Sequence, residues 1–475
     1  MSKAVGGTVV AALVLAGGYA WADVHDLVPG VLTIAPRIPD AKPFPTVHVP
    51  AASTNVLQTL SALPSDAPMP TPQRVGELIK ELVDNKDLLG ESVSVIVSDG
   101  LTGEVLGEHD ADKRVVPASI QKLFTAVVAL DQLDVTSTLK TRVVLAGEST
   151  LYLAGEGDML LSNKKGNPAA INGHAGLEDL AVQVAGKLKL AGIDSVTLKL
   201  DDSAFEGNPM GPWDEQNAPL GFAAPVSTLA VDTGRKAEGE YAPRYTDPAI
   251  EAAKSFAARL KEQGITVASG PSRAVYESKG QIFKANGKEL LGEIESAPLA
   301  DIVQYYLKYS DNTIAEIVGH TIARAKGLPA SFSGATTAVM QGLAALGIDT
   351  TGITLVDCSG LGDTSYVTAR AMDEVLELMV SPEHPEMTTA LNGLPIGALS
   401  GTLSDRFTDR NGRGTLRAKT GSLSMVTALA GMSVTLDNRL ITFTVIADDI
   451  PPGGQWTARK TVDSFAEKLT ECGCS

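Results

Sequence analysis

From Leu123 to Leu130 nearly every position is apolar, and the run opens on Ser119-Ile120-Gln121-Lys122. An apolar stretch with so little polar face predicts a helix buried inside a domain. Upstream, Val75, Leu78, Ile79 and Leu82 recur at helical spacing within 74–89. Residues 92–98 and 104–109, on either side of a turn at 99–103, predict a hairpin leading into the buried helix. Downstream, 139–145 and 150–153 read as strands, followed by the Gly-rich turn Ala154-Gly155-Glu156-Gly157-Asp158. Two helix-then-strand passages share one join, with Gly192 and Gly264 as helix stop signals. Asp247 and Pro248 give the second of these helices a cap and a first turn.

The pattern then returns to helices at 298–309 and 313–325, joined by Ser310-Asp311-Asn312. A strand at 414–421 ends in Lys419-Thr420-Gly421, strands at 426–436 and 440–446 continue an antiparallel sheet, and an amphipathic helix at 457–470 covers it. The expected fold is α/β: an antiparallel sheet flanked by helices and formed from both chain ends (74–138 and 297–475), with a second α/β domain inserted at 139–296.

Residues 1–22 hold one lysine and then an uncharged run ending Ala20-Trp21-Ala22. They read as an export signal with a small-residue cleavage site, or as a retained membrane anchor. Either way the remainder is expected on the outer side of the membrane, in the cell envelope. Residues 23–73 carry ten of the chain's 26 prolines and read as an extended tether. The length of 475 residues suits two or three domains, and a net charge of −17 argues against a nucleic-acid surface. Three cysteines, Cys358, Cys472 and Cys474, are too few for a disulfide framework and supply no four-ligand metal set.

On a helix, residues three apart share a face, so the Ser119–Lys122 spacing sets an amine beside a hydroxyl. A helix starting near Ser119 would also turn free N–H groups toward developing negative charge. Burial makes such a lysine resist protonation, and it can then act as a base. Ser-x-x-Lys by itself is weak, since about two chance matches are expected at this length. Two decoys occur, Ser137-Thr138-Leu139-Lys140 and Ser162-Asn163-Lys164-Lys165, and neither opens a buried helix. Singly, Ser119 reads as a helix cap, Lys122 as a solvated charge and Ser310-Asp311-Asn312 as a polar turn. Ser-Asp-Asn and Lys-Thr-Gly are each expected by chance only about 0.1 times, so the three in this order read as a catalytic set. The six histidines sit in no recognisable nucleophile motif, and His320 reads as a packed helix residue.

This set is the signature of penicillin-binding proteins and serine β-lactamases. With the large insertion between the first and second motifs, the chain resembles the D-alanyl-D-alanine carboxypeptidase/endopeptidase family of low-molecular-mass penicillin-binding proteins. Ala224–Ala230, Asp357–Leu361 and Leu394–Leu403 also look like stretches of that family. Cys358 departs from its pattern, where glycine is usual, as do Gly362-Asp363 and Met159.

The resemblance implies a transpeptidase-like fold and a cofactor-free serine D,D-carboxypeptidase or D,D-endopeptidase. Its substrates would be peptidoglycan stem peptides, with β-lactams as covalent inhibitors. Ser119 would be the nucleophile, Lys122 its base and Ser310 a proton relay. Asn312 would anchor the substrate amide, Lys419 and Thr420 would take the terminal carboxylate, and Gly421 would let the substrate approach the strand. The backbone N–H groups of Ser119 and Ser422 would form the oxyanion hole. The competing readings are a serine β-lactamase and a non-catalytic wall-binding or penicillin-sensing module. The Glu-x-x-Leu-Asn expected of a class A β-lactamase soon after Ser-Asp-Asn has no counterpart here.

Overall fold

Thr71 and Pro72 start the first helix of the folded body, α1 (Pro72–Val83), which turns Val75, Leu78, Ile79 and Leu82 inward. The computed structural model describes residues 14–25, 27, 28, 32, 64, 66–408 and 412–471. Two compact units divide the chain, Met1–Ala62 and Leu63–Ser475. In the first, residues 14–24 are helical, and no helix among the described residues is long and apolar enough to cross a membrane. Most of the proposed tether, together with Cys472 and Cys474, lies outside the described residues.

The expected hairpin is β1 (Val93–Asp99) and β2 (Val105–His109), followed by the buried helix α2 (Lys122–Gln132). In α2 every residue from Lys122 to Leu130 is buried. Each large apolar side chain there contributes roughly 1.5–3 kcal/mol of transfer free energy, which offsets the cost of taking Lys122 out of water.

The inserted segment holds β3 (Lys140–Ala146), β4 (Thr150–Gly155), β5 (Asp158–Leu161), α3 (Leu177–Leu190), β6 (Ser195–Asp201), β7 (Leu229–Val231), α4 (Pro248–Glu262), β8 (Thr266–Arg273) and β9 (Leu290–Glu295). Its main sheet runs β8-β6-β4-β3-β9, while β5 and β7 pair apart. The two helix-then-strand passages give the parallel neighbours β6 and β8, as right-handed crossovers allow. Gly192 (φ 72°) and Gly264 (φ 80°) close their helices in the left-handed region, and Asp247 caps α4 by accepting from Ile250 N–H.

The chain then gives α5 (Leu299–Tyr309), α6 (Asn312–Ala325), α7 (Phe332–Ala345) and α8 (Ala369–Val380). It ends with β10 (Arg417–Leu423), β11 (Val426–Val434), β12 (Leu440–Ala447) and α9 (Gln455–Glu471). The strand expected at 414–421 starts at Arg417 rather than at Gly414, whose φ of 77° belongs to a turn. The main sheet is antiparallel throughout, in the order β10-β11-β12-β1-β2. Strands β1 and β12 are buried at every position because both faces are covered. Val95, Val97, Phe443 and Val445 pack with α1 and α9 on one face. Ala428, Ala430 and Ile446 pack with α2 and its helical neighbours on the other. Alternate side chains of a strand point to opposite faces, so one sheet serves two cores. The edge strand β10 lies against the turn that carries Ser119.

Candidate active site

Ser119 sits in a 3-10 turn, Ala118–Gln121, and the α-helix begins only at Lys122. The expectation of a helix starting near Ser119 is therefore shifted by one turn. Ala118 adopts φ 49°, a left-handed conformation that costs a non-glycine residue about 1 kcal/mol or more. Two close approaches fix it. A Cβ on Gly360 would stand 1.9 Å from the Ala118 carbonyl oxygen, and one on Gly421 would stand 2.8 Å from that of Pro117. Thus Gly421 seats β10 against the turn that carries Ser119, and its bare face looks at Pro117 and Ala118.

The Lys122 amine is fully buried and lies 3.0 Å from Ser119 Oγ, 2.6 Å from Asn312 Oδ1 and 2.8 Å from the Ser359 carbonyl oxygen. Burial pushes its pKa down to about 8, against the pull of Asp357, Asp311 and Glu316. A neutral amine has two N–H bonds and one lone pair. The Ser359 carbonyl can only accept, and Asn312 presents its oxygen because its Nδ2 donates to the Phe222 carbonyl, 2.9 Å away. Both N–H bonds are thereby used, and the lone pair is left for the Ser119 hydroxyl. Each end of the Asn312 amide makes one of its two possible bonds, so one N–H and one oxygen lone pair stay available to a substrate amide.

Ser310 ends α5 at φ 56°, and Asp311 caps α6 by accepting from Ile314 N–H at 3.0 Å. This sharp joint aims Ser310 at the third motif, where Lys419 Nζ donates to Ser310 Oγ at 2.8 Å and to the Thr420 carbonyl at 2.9 Å. Lys419 is fully buried; burial, then the nearby Lys122 and Arg406, hold it well below the ordinary lysine range. Thr420 Oγ1 meets Thr402 Oγ1 at 2.9 Å. On the free edge of β10 the Ala418 N–H donates to the Pro395 carbonyl. The two-residue period of a strand puts the Ser422 N–H on that same edge. Ser119, Lys122 and Asn312 thus form one bonded group and Ser310, Lys419 and Thr420 a second, with the two buried lysines close enough to repel each other and Gly421 and Ser422 on the border.

The model of the D-Ala-D-Ala carboxypeptidase 3 (S13) family matches residues 75–242 and 235–469. The chain belongs to this family. Among S13-like relatives, a carboxypeptidase of Mycobacterium tuberculosis is 35% identical over 80% of each chain. The carboxypeptidase DacB of Mycolicibacterium smegmatis is 35% identical over 90% of each. The crystal structure of penicillin binding protein 4 (dacB) from Haemophilus influenzae shares the fold, with a TM-score of 0.67 and 22% identity over 82% of this chain and 98% of that one.

In this S13 chain the family-like stretches that carried no assigned role also reach the site. The Asp357 carboxylate accepts from Gln121, Trp213 and the N–H groups of Ser359, Gly360 and Gly362. It thereby shapes the loop whose Ser359 carbonyl meets Lys122. From the inserted segment, Ala224 N–H donates to Thr313 Oγ1 at 2.9 Å, beside the Phe222 contact. Cys358, where the family usually has glycine, is fully buried, and burial pushes its thiol well above the usual range. A Cβ on Gly319 of α6 would lie 2.4 Å from Cys358 Sγ, so the missing side chain at 319 makes room for the added one at 358. His320 is buried on α6 with its ring against Phe205 and Phe332.

Proposed function

We propose that this chain is an exported serine D,D-carboxypeptidase that removes terminal D-alanine from peptidoglycan stem peptides through an acyl-enzyme on Ser119. The observation that carries the reading is the buried Lys122 amine, 3.0 Å from Ser119 Oγ, with its N–H bonds committed elsewhere. Family membership supports the same chemistry. Ser119 Oγ attacks the carbonyl carbon of the D-Ala–D-Ala bond while its proton passes to Lys122. The N–H groups of Ser119 and Ser422 receive the oxyanion, each donor of this kind being worth about 2.7–4 kcal/mol of barrier. The C–N bond then breaks, and Ser310 with Lys419 relays a proton to the leaving amine. Water, with Lys122 as base, hydrolyses the Ser119 ester and releases the shortened peptide.

Lys419 and Thr420 take the terminal carboxylate. Because Lys419 is held below its ordinary range, binding an anion there draws a proton onto its amine. A β-lactam carbonyl meets the same nucleophile, but its amine stays tethered after ring opening, so the adduct persists. Residues 139–296 are read as an inserted domain and 1–22 as the export signal or anchor.

The test is mass spectrometry of the purified protein with benzylpenicillin, with mapping of the labelled peptide, followed by D-alanine release from stem peptides. A long-lived adduct on Ser119 and D-alanine release are expected, and Ser119→Ala should lose both while keeping its thermal midpoint. An adduct on Ser119→Ala, or no D-alanine release, would overturn the proposal. Rapid loss of the adduct with turnover would favour a β-lactamase instead.

A further inference from the structure

We propose that Arg235, contributed by the inserted segment, is a positioning residue for acylation: it clamps Asp311 at the centre of Ser310-Asp311-Asn312 and balances the carboxylate charge facing Lys122. The inference rests on reading Ser119 and Lys122 as the acylating pair. Arg235 Nη2 lies 3.5 Å from Asp311 Oδ2, with 12% and 6% of the two side chains exposed. Its Nη1 bonds Asp232 Oδ1 at 3.1 Å and also contacts Thr233 Oγ1. Asp232 and Thr233 are non-glycine residues at φ 43° and 50°, so the surroundings over-determine this turn. Arg244 braces it, donating to Thr233 Oγ1 and to the Gly221 and Glu240 carbonyls.

A helix cap does not require this arrangement. Asp311 Oδ1 already caps α6, and a neutral asparagine caps as well as aspartate. A buried ion pair is also poor evidence for stability, because desolvation can outweigh attraction. The position of the charge supplies the better reason. The charged or titratable groups facing Lys122 are Asp311 and Glu316 from α6, Asp357 from its loop and Lys419 from β10. Burial, then Asp357, push the Glu316 carboxyl well above its usual range. Asp357 is satisfied by neutral donors: the indole, the Gln121 amide and backbone N–H groups. Asp311 is the carboxylate of this group with a cation against it, and that cation comes from outside the catalytic helices. Around the pair stand Asp232, Arg244 and Tyr305. A bare carboxylate here would favour protonated Lys122, the form that cannot take the Ser119 proton.

The experiment is the pH dependence of acylation by benzylpenicillin in native protein, Arg235→Gln, Arg235→Lys and Asp311→Asn. For Arg235→Gln the acid limb should move up by about half to one unit, so acylation at pH 7 falls about three- to tenfold. Its alkaline plateau should stay within about twofold of native. Arg235→Lys should keep the native limb, and Asp311→Asn should move it to lower pH. In Arg235→Gln, an equal loss at every pH or an unmoved limb would overturn the proposal. If Arg235→Gln fails to fold, the other two variants still decide it: a limb that moves in Arg235→Lys or stays put in Asp311→Asn would overturn the proposal. Native protein that is never acylated would instead sink the acylation reading itself.

Discussion

Asn312→Asp replaces an amide by a carboxylate of nearly the same shape, 2.6 Å from the Lys122 amine. An opposite charge this close raises a lysine pKa by roughly 1–3 units. Lys122 should then move from about 8 to about 9–11. Far below its pKa, the neutral fraction of a base falls tenfold per unit, so acylation at pH 7 should drop by about 10- to 1,000-fold. Lost rate should return at high pH, because the base is masked rather than removed. The assay is the acylation rate with a fluorescent penicillin between about pH 6 and pH 10, the native curve bending near pH 8. Asn312→Ala serves as the control: it removes the contact without adding charge, so it should slow acylation with no upward move of the bend. If Asn312→Asp bends where the native protein does, Lys122 is not the proton acceptor.

Two further outcomes concern stability. Gly319→Ala should destabilise by about 1–2 kcal/mol, as overpacking against Cys358 Sγ at 2.4 Å exceeds the gain in helix propensity. Cys358→Gly in the same background should recover most of it, and additive denaturation energies would refute the contact. Burial holds the pKa of His320 down to about 4, against its bond to the Glu316 carbonyl. The unfolded chain therefore binds this proton as pH falls through about 6.5, whereas the folded chain waits until about 4. Stability should drop by about 2 kcal/mol between pH 7 and pH 5 on this account. His320→Leu should flatten that slope in urea titrations, and an unchanged slope would refute the assignment.

The apolar runs announced α2, the hairpin and the closing strands because each depends on a local pattern. Ser119 and Lys122 were legible as a pair since three-residue spacing brings them together in a 3-10 turn as well as in an α-helix. The groups that complete the site were harder to see. The Phe222 and Ser359 acceptors are backbone carbonyls, which any residue carries. Arg235 reaches Asp311 across the fold from a segment with no motif of its own. The strained Ala118 follows from packing by Gly360 and Gly421, so the available signal was the glycines rather than the alanine. Lys419, proposed to take the substrate carboxylate, read as a plain positive charge in the sequence, and only its burial beside a second lysine shows how reluctantly it carries one.

The pairing of β1 with β12, from Val93↔Ala447 to Asp99↔Ile441, bears on the order in which the molecule can assemble. Strand β1, an inner strand of the main sheet, is made early and waits for its partner β12 near the C-terminus. Lys419 lies on β10, beyond β11 and β12 in the same sheet. A growing chain therefore exposes Ser119 and Lys122 long before the remaining members of the site exist. On the proposed roles, hydrolytic competence arrives late and together with the closing of the sheet, and a prematurely ended chain is expected to be inert as well as unstable.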